Sequence, residues 1–194
     1  MIAIWVKVGT MLGYNVTPEL IIRTLGIDNA GTRAIIMREL GTGFPYDKAR
    51  EEIHRLAGME DEKGIALRPG VIPLLDHLTS RKIPVIVATS TRRETAFRKL
   101  RQACIRDRFE LLVGGDEISN GKPAPDIFLK AAGRLGKSPS ECVGFEDSPA
   151  GLQALHAAGI RSVFVKDMVE PSREILASVW RRYNDLAEAV EVFG

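Results

Sequence analysis

The sequence predicts an α/β protein, with a doubly wound parallel sheet preceded by a small helical subdomain. From about residue 65 onward, apolar β-branched runs alternate with helical patterns, as expected for parallel strands buried on both faces. Residues 1–64 have helical spacing and no obvious strand. A chain of 194 residues suits a core domain with a modest additional subdomain. We therefore predict a helical cap subdomain over 1–64 and an α/β core over 65–194.

The first fourteen residues allow two interpretations. As a helix, they place one apolar face at spacings of three and four: Met1, Ile4, Trp5, Val8, Met11 and Leu12. As a strand, Ile2 to Val8 is rich in β-branched residues. We favour the helix, although Gly9 and Gly13 weaken that prediction. Three more helices are expected in this subdomain, separated by glycines: Pro18 to Leu25, Thr32 to Leu40 and Tyr46 to Leu56.

The core is predicted to contain four strands and the helices between them. The predicted strands are Ile83 to Ser90, Phe109 to Val113, Glu141 to Phe145 and Arg161 to Val165. The predicted helices are Val71 to Arg81, Arg92 to Ala103, Pro125 to Leu135 and Pro149 to Ala158. Gly159 follows the last of these as a typical C-cap signal. This alternation places ligands at the carboxyl ends of the strands.

Composition narrows the classes of function. The net charge is +2 with scattered Lys and Arg, which gives no indication of nucleic-acid binding. Two cysteines cannot build a disulfide framework and suit a reducing cytosol. No apolar stretch is long enough to span a bilayer, and the N-terminus lacks the features of a signal peptide. We expect a cytoplasmic protein without a membrane or nucleic-acid partner.

Adjacent carboxylates mark the candidate site. Glu146 and Asp147 end an apolar strand directly before a helix opened by Ser148-Pro149, and Lys122 lies upstream. Adjacent acids repel each other unless a proton or cation neutralises them, and Mg²⁺ accepts one or two carboxylates together with phosphate oxygens. The simpler alternative is an acid pair that favours the helix dipole, with Lys122 on the surface.

Three segments together resemble the haloacid dehalogenase superfamily, in its branch of helical-cap phosphatases and phosphoglucomutase-like enzymes. They are Val85 to Thr91 (VIVATST), Gly121 to Asp126 (GKPAPD) and Gly144 to Gly151 (GFEDSPAG). The last two are the specific signal, and the resemblance covers residues 66–165. It implies a Rossmann-like core with a helical cap, and a Mg²⁺-dependent phosphatase acting on small phosphorylated metabolites.

The resemblance also implies roles for particular residues. Thr89 corresponds to a phosphate-binding hydroxyl, with Ser90 as a second contact, and Lys122 to the lysine that offsets charge on the phosphoryl group. Glu146 and Asp147 correspond to the acids that hold Mg²⁺. In the cap, mutases of this branch carry an arginine that binds phosphate, near the position occupied here by Asn29. Arg33 is a weak substitute for that arginine.

The family's first motif, Asp-x-Asp-Gly-Thr, has no match. The loose equivalent Val6 to Thr10 (VKVGT) has valine at both acid positions, and valine can neither attack phosphorus nor carry a proton. We expect residues 1–14 to match the first cap helix, so that the first core strand is missing at a shortened N-terminus. Either residues 1–8 refold into the gap or another chain fills it, which favours a homodimer.

The expected function is therefore a phosphatase-like hydrolase whose turnover is impaired. The alternatives are a non-catalytic module that binds phosphate and metal, a sugar-phosphate mutase relative, and an incomplete reading frame with its catalytic strand further upstream.

Overall fold

The structure is a computed structural model that describes residues 1–62 and 64–193. The chain divides into two compact units, Met1–Ile65 and Ala66–Gly194. None of the helices in the described ranges combines the length and the apolar character that a bilayer crossing requires.

The first unit is helical. Its helices are α1 (Ile2–Met11), α2 (Pro18–Ile22), α3 (Asn29–Leu40) and α4 (Tyr46–Asp61). Their packing buries a core that includes Trp5, Val8, Ile21, Ile36 and Ile53.

Helix α1 confirms the helical interpretation of the N-terminus. Trp5 and Val8 point from it into the core of the first unit. Gly9 packs so closely against Val16 that a Cβ at this position would collide with the valine side chain. Close packing, and not conformational freedom, therefore explains a glycine inside this helix. In this structure residues 2–11 are helical and do not supply a strand to the second unit.

The second unit alternates helices and strands. Its elements are α5 (Val71–Ser80), β1 (Ile86–Ala88), α6 (Arg93–Gln102), β2 (Leu111–Val113), α7 (Asp126–Arg134), β3 (Val143–Glu146), α8 (Pro149–Ala157), β4 (Arg161–Val165), α9 (Arg173–Ala177) and β5 (Arg181–Tyr183). Short 3₁₀ turns occupy Arg106–Arg108, Gly115–Glu117, Pro139–Glu141 and Glu188–Phe193.

The strands form two parallel sheets. One contains β1 and β2, and the other has the order β3-β4-β5. Ile86 pairs with Leu111 in the first, Val143 with Arg161 in the second. Among the described residues, no strand pairs with the free edge of β1 or with that of β3. The α/β class with parallel strands is confirmed, and the strands form two separate sheets.

Helices α7 and α8 each pack against one of the sheets and contact each other, which links the two sheets. Ile127 and Phe128 of α7 and Leu155 of α8 share one buried cluster, which also includes Val113 of β2. Helix α7 contacts β1 and β2, and α8 contacts β3 and β4. One layer of helices therefore covers one face of both sheets.

Strand β1 is shorter than the predicted strand Ile83 to Ser90. The amide of Ile83 donates to the carbonyl of Leu78 at the end of α5, at 3.0 Å, and Pro84 has no amide to offer. Regular pairing therefore begins only at Val85, whose carbonyl accepts from the amide of Glu110 at 2.9 Å. The C-terminal elements α9 and β5 were not predicted, because β5 is a short segment of polar residues, Arg181 to Tyr183.

Candidate active site

The turn between β3 and α8 is held by Ser148. Its hydroxyl accepts a hydrogen bond from the amide of Gly151 at 3.1 Å, and Pro149 occupies the first helical position. This is a standard N-cap, and it confirms the start of the predicted helix. The Ser148 hydroxyl also donates to Oε1 of Glu146 at 3.2 Å, so that the cap fixes the carboxylate next to it.

Lys122 and Glu146 form a buried ion pair. Nζ of Lys122 lies 2.6 Å from Oε1 of Glu146, and each side chain is only 8% exposed. Oε2 of Glu146 accepts from the amide of Asp147 at 2.8 Å. The ammonium of Lys122 also lies 4.8 Å from the ring centroid of Phe128, a cation–π distance.

Burial by itself raises the pKa of Glu146. The charge of Lys122 and the hydrogen bonds from Lys122 and Asp147 outweigh this effect, and the pKa of Glu146 lies below its usual value. Glu146 is therefore ionised, and both of its oxygens are engaged by protein donors. Its clearest role in this structure is to hold Lys122.

Asp147 is the less satisfied of the two acids. Its side chain is accessible to solvent, yet the surrounding protein removes part of its hydration, which raises the pKa of Asp147. The charge of Glu146 and a hydrogen bond between the two side chains raise this pKa further, while the charge of Lys122 lowers it. Among the described residues, no ion pair engages Asp147. A cation at this position would offset the repulsion between the two adjacent carboxylates.

A cavity of about 470 Å³ opens beside these acids at the carboxyl end of β3 and β4. Glu146 and Asp147 line it together with Arg68, Asp167 and Asp185. Arg68 forms an ion pair with Asp167. Oδ1 of Asp185 accepts from the amide of Ala187 at 2.7 Å.

The sequence motifs do not include Arg68, Asp167 or Asp185. They come from three separate segments and belong to none of the recognised motifs. The only available signal was the position of Asp167 just after β4, at the same edge of the sheet as Glu146.

Thr89 and Ser90 lie at the carboxyl end of β1. The amide of Thr89 donates to the carbonyl of Val113 at 3.0 Å, and its hydroxyl accepts from the amide of Thr91 at 3.2 Å. Gly115 approaches the backbone of Ser90 so closely that a Cβ there would collide with it. In the described part of the chain, no hydrogen bond joins Thr89 to Lys122 or Glu146.

Glu117 stabilises the loop that follows β2, next to Ser90. Its carboxylate accepts from the amide of Gly114 at 2.8 Å and from Arg134 at 2.6 Å. These contacts hold the pKa of Glu117 below its usual value, with the Gly114 hydrogen bond as the largest cause.

Arg33 belongs to the first unit. It forms an ion pair with Asp47 at 2.7 Å, and its guanidinium lies 5.3 Å from the ring centroid of Tyr46. Its role as a phosphate contact stays a prediction.

The donor set fits a magnesium ion better than an all-protein metal cage. Within residues 1–62 and 64–193, no group of three or more His, Cys, Asp or Glu side chains is arranged to hold a metal. Magnesium commonly keeps several waters and takes only one or two carboxylates together with phosphate oxygens. Asp147, the more accessible of the two acids, can serve as such a ligand.

A family model described as haloacid dehalogenase-like hydrolase matches residues 16–159, more than half of the chain. The chain belongs to this family. The haloacid dehalogenase-like match includes Thr89, Lys122, Glu146 and Asp147, the residues on which the resemblance was recognised.

Relatives and solved structures agree with this assignment. The phosphorylated carbohydrates phosphatase of Thermotoga maritima is 30% identical over 158 residues, which cover 81% of this chain and 73% of that protein. The fructose-1-phosphate phosphatase YqaB of Escherichia coli is 38% identical over 124 residues, 63% of each chain. The crystal structure of a hydrolase from Pseudomonas syringae covers 99% of this chain with a TM-score of 0.84 at 23% identity, which supports the haloacid dehalogenase-like fold alone.

The chain spans less than two thirds of the length of several relatives. It covers 63% of YqaB and 46% of a probable pseudouridine-5'-phosphatase from Drosophila melanogaster.

Proposed function

We propose that the second unit binds Mg²⁺ and a small phosphorylated sugar at the carboxyl end of its sheets. The observation that carries this proposal is the solvent-accessible carboxylate of Asp147, which no ion pair engages among the described residues, beside the buried Lys122–Glu146 pair. The relative from Thermotoga maritima is named for phosphatase activity on phosphorylated carbohydrates, which supports a sugar phosphate as the ligand.

Each residue has a distinct task in this proposal. Asp147 holds the metal. Glu146 keeps Lys122 in position through their buried ion pair. Lys122 offsets the charge of the phosphoryl group, and Thr89 with Ser90 donates to its oxygens. When bound, Mg²⁺ polarises a phosphoryl oxygen and neutralises developing charge.

We further propose that turnover is slow, because the Asp-x-Asp-Gly-Thr motif that supplies the nucleophile in this family has no match in the sequence, and the acids lining the cavity have other partners. Glu146 is engaged by Lys122, Asp167 by Arg68, and Asp185 by the amide of Ala187. Asp147, as the metal ligand, is not available as a nucleophile. Loss of a covalent nucleophile costs roughly 10⁴-fold or more in kcat.

The test is phosphate release from fructose 1-phosphate with and without Mg²⁺, for the wild type and Asp147→Asn. Asp185→Asn is the matched control, since it makes the same change on the same cavity and asparagine can still cap the terminal turn. We expect a kcat below about 0.01 s⁻¹, far under the usual enzyme range. We also expect calorimetry to show Mg²⁺ binding that Asp147→Asn abolishes and Asp185→Asn keeps.

If the wild type hydrolysed the substrate rapidly with Mg²⁺ and Asp147→Asn did not, the proposal of slow turnover would be overturned. The proposed metal site would still be supported. Equal Mg²⁺ binding by all three proteins would overturn the metal site itself.

The remaining assignments accompany this function. A phosphorylated metabolite is the proposed partner, with no nucleic acid and no membrane. Cys104 and Cys142 are free thiols, which supports a cytoplasmic location. A homodimer stays a prediction.

A further inference from the structure

The loop of residues 120–126 contains Lys122, the partner of Glu146 in the buried ion pair. Nδ2 of Asn120, the first residue of the loop, donates to Oδ1 of Asp126, its last residue, at 2.9 Å. Asp126 is also the first residue of α7. A side-chain hydrogen bond therefore joins the two ends of the loop around Lys122, and this bond depends on the side-chain amide of Asn120.

Asn120 is followed by a glycine, and this is the one Asn-Gly sequence in the chain. Asn120 is exposed to solvent, and among the described residues no hydrogen bond engages the backbone amide of Gly121. Glycine has no Cβ that would keep its backbone nitrogen away from the preceding side chain. The nitrogen of Gly121 can therefore approach Cγ of Asn120.

We propose that Asn120 is a site of spontaneous deamidation, which opens the loop around Lys122. The backbone nitrogen of Gly121 loses its proton to solvent and forms a bond to Cγ of Asn120. The side-chain nitrogen takes up a proton from solvent and leaves as ammonia, so that a succinimide ring remains. Water then opens the ring at one of its two carbonyls, which gives either aspartate or isoaspartate. Water is the only co-reactant, and no electrons are exchanged.

Either product removes the hydrogen bond between the ends of the loop. Nδ2 of Asn120 is the donor to Asp126, and the carboxylate that replaces the amide has no proton to donate at neutral pH. Two carboxylates would then face each other and repel. The isoaspartate also lengthens the backbone by one methylene, two residues before Lys122. Both changes loosen the segment that positions Lys122 against Glu146.

Peptide mass analysis tests the modification directly. The full chain is kept in neutral buffer, sampled over several weeks and digested with trypsin. The tryptic peptide from Phe109 to Lys130 contains Asn120 and no other amide side chain, since Pro123 prevents cleavage after Lys122. Three other tryptic peptides carry the remaining asparagines as internal controls, namely Asn15, Asn29 and Asn184.

We expect the peptide with Asn120 to gain one dalton at a rate at least about tenfold above that of each control asparagine, because only Asn120 precedes a glycine. An isoaspartate-specific methyltransferase should label the same peptide. The matched variant is Asn120→Gln, which keeps an amide but would have to close a larger ring, and its peptide should keep its mass.

Asn120→Asp introduces the charge of the aspartate product and tests its effect on the loop. Inside the loop, the amide of Ala124 donates to the carbonyl of Gly121 at 3.0 Å. Hydrogen exchange at Ala124 should be about fivefold faster in Asn120→Asp, as expected for the loss of one hydrogen bond. Asn120→Asp/Asp126→Asn interchanges the two ends of the bond, and it should restore the wild-type exchange rate.

Two results would overturn the proposal. A mass gain at Asn120 no faster than at the control asparagines would exclude the modification site. Unchanged exchange at Ala124 in Asn120→Asp, or equally fast exchange in the double variant, would exclude the effect on the loop. These measurements use neither Mg²⁺ nor phosphate, so their outcome is independent of the proposed function.

Discussion

Replacing Lys122 with methionine tests how strongly the candidate site depends on its buried ion pair. Methionine retains most of the apolar stem but leaves Glu146 without its cation. The carboxylate is 8% exposed and accepts its shortest hydrogen bond, at 2.6 Å, from Lys122. Removing one partner of a buried pair typically costs 3–5 kcal/mol, so we expect a loss of about 3–5 kcal/mol in the free energy of unfolding. Domains are commonly stable by only about 5–15 kcal/mol, so this loss is a large fraction of the total.

The effects of substituting Lys122 and Glu146 on the free energy of unfolding should also be coupled. In Lys122→Met/Glu146→Gln no buried charge remains, and the double variant should regain at least about 2 kcal/mol relative to Lys122→Met. Urea unfolding of the wild type, both single variants and the double variant measures this coupling.

The pH dependence gives an independent check. Without Lys122, burial dominates and the pKa of Glu146 rises, so that acid can neutralise the carboxylate in the folded state. The stability gap between wild type and Lys122→Met should therefore narrow from pH 7 to pH 5. Additive losses in the double variant, or a gap independent of pH, would refute the buried-pair account.

Three further predictions concern residues that support the site. Gly151→Ala places a Cβ against the carboxylate of Glu146 and should destabilise the fold by ~2 kcal/mol or more in urea unfolding. Gly133→Ala, in open space on α7, should instead stabilise the fold by up to ~1 kcal/mol. Equal effects of the two substitutions would contradict the packing argument. Ser148→Ala removes the α8 cap and a hydrogen-bond donor to Glu146, and it should lower the stability measured by thermal unfolding by about 1–2 kcal/mol. Ser148→Asp preserves a cap, but repulsion between its carboxylate and Glu146 should also lower stability. The pKa of Glu117 is lowered in the folded state, so its contribution to the free energy of unfolding is present above the unfolded pKa and is lost as the pH falls through the folded pKa. Glu117→Gln should therefore lower stability at pH 7 and have little effect at the acid end of a pH series. A stability difference between wild type and Glu117→Gln that does not change with pH would exclude this linkage.

Local sequence signals account for much of the second unit. Ser148 and Pro149 predicted the start of α8 because an N-cap hydroxyl and a proline at the first position are set by neighbouring residues. The predicted strand from Arg161 to Val165, with its apolar residues Val163 to Val165, has the observed bounds of β4. In both cases the chemistry that decides the structure is close in the chain.

Interactions between distant segments were beyond such reasoning. The ion pair between Lys122 and Glu146 joins residues 24 positions apart in the chain. Only the folded structure shows that this pair engages Glu146 and leaves Asp147 as the acid more available to a metal ion. Arg181 and Arg182 gave no strand signal, because β5 forms through pairing with β4 and not through an apolar pattern of its own. The position of Thr89 at the end of β1 was predictable, while its convergence with Lys122 on one phosphate stays a prediction.

The most direct measurement of that convergence is the relaxation of ³¹P in inorganic phosphate when Mn²⁺ replaces Mg²⁺ in the full chain. A metal held by Asp147 and a phosphate held by Lys122 and Thr89 would be close enough for strong paramagnetic relaxation. We expect the enhancement to vanish in Asp147→Asn, and the phosphate affinity to fall about tenfold in Thr89→Val, with Thr91→Val as the unaffected control. A bound Mn²⁺ that leaves phosphate unrelaxed, or a Thr89→Val variant with unchanged phosphate affinity, would contradict a single shared site.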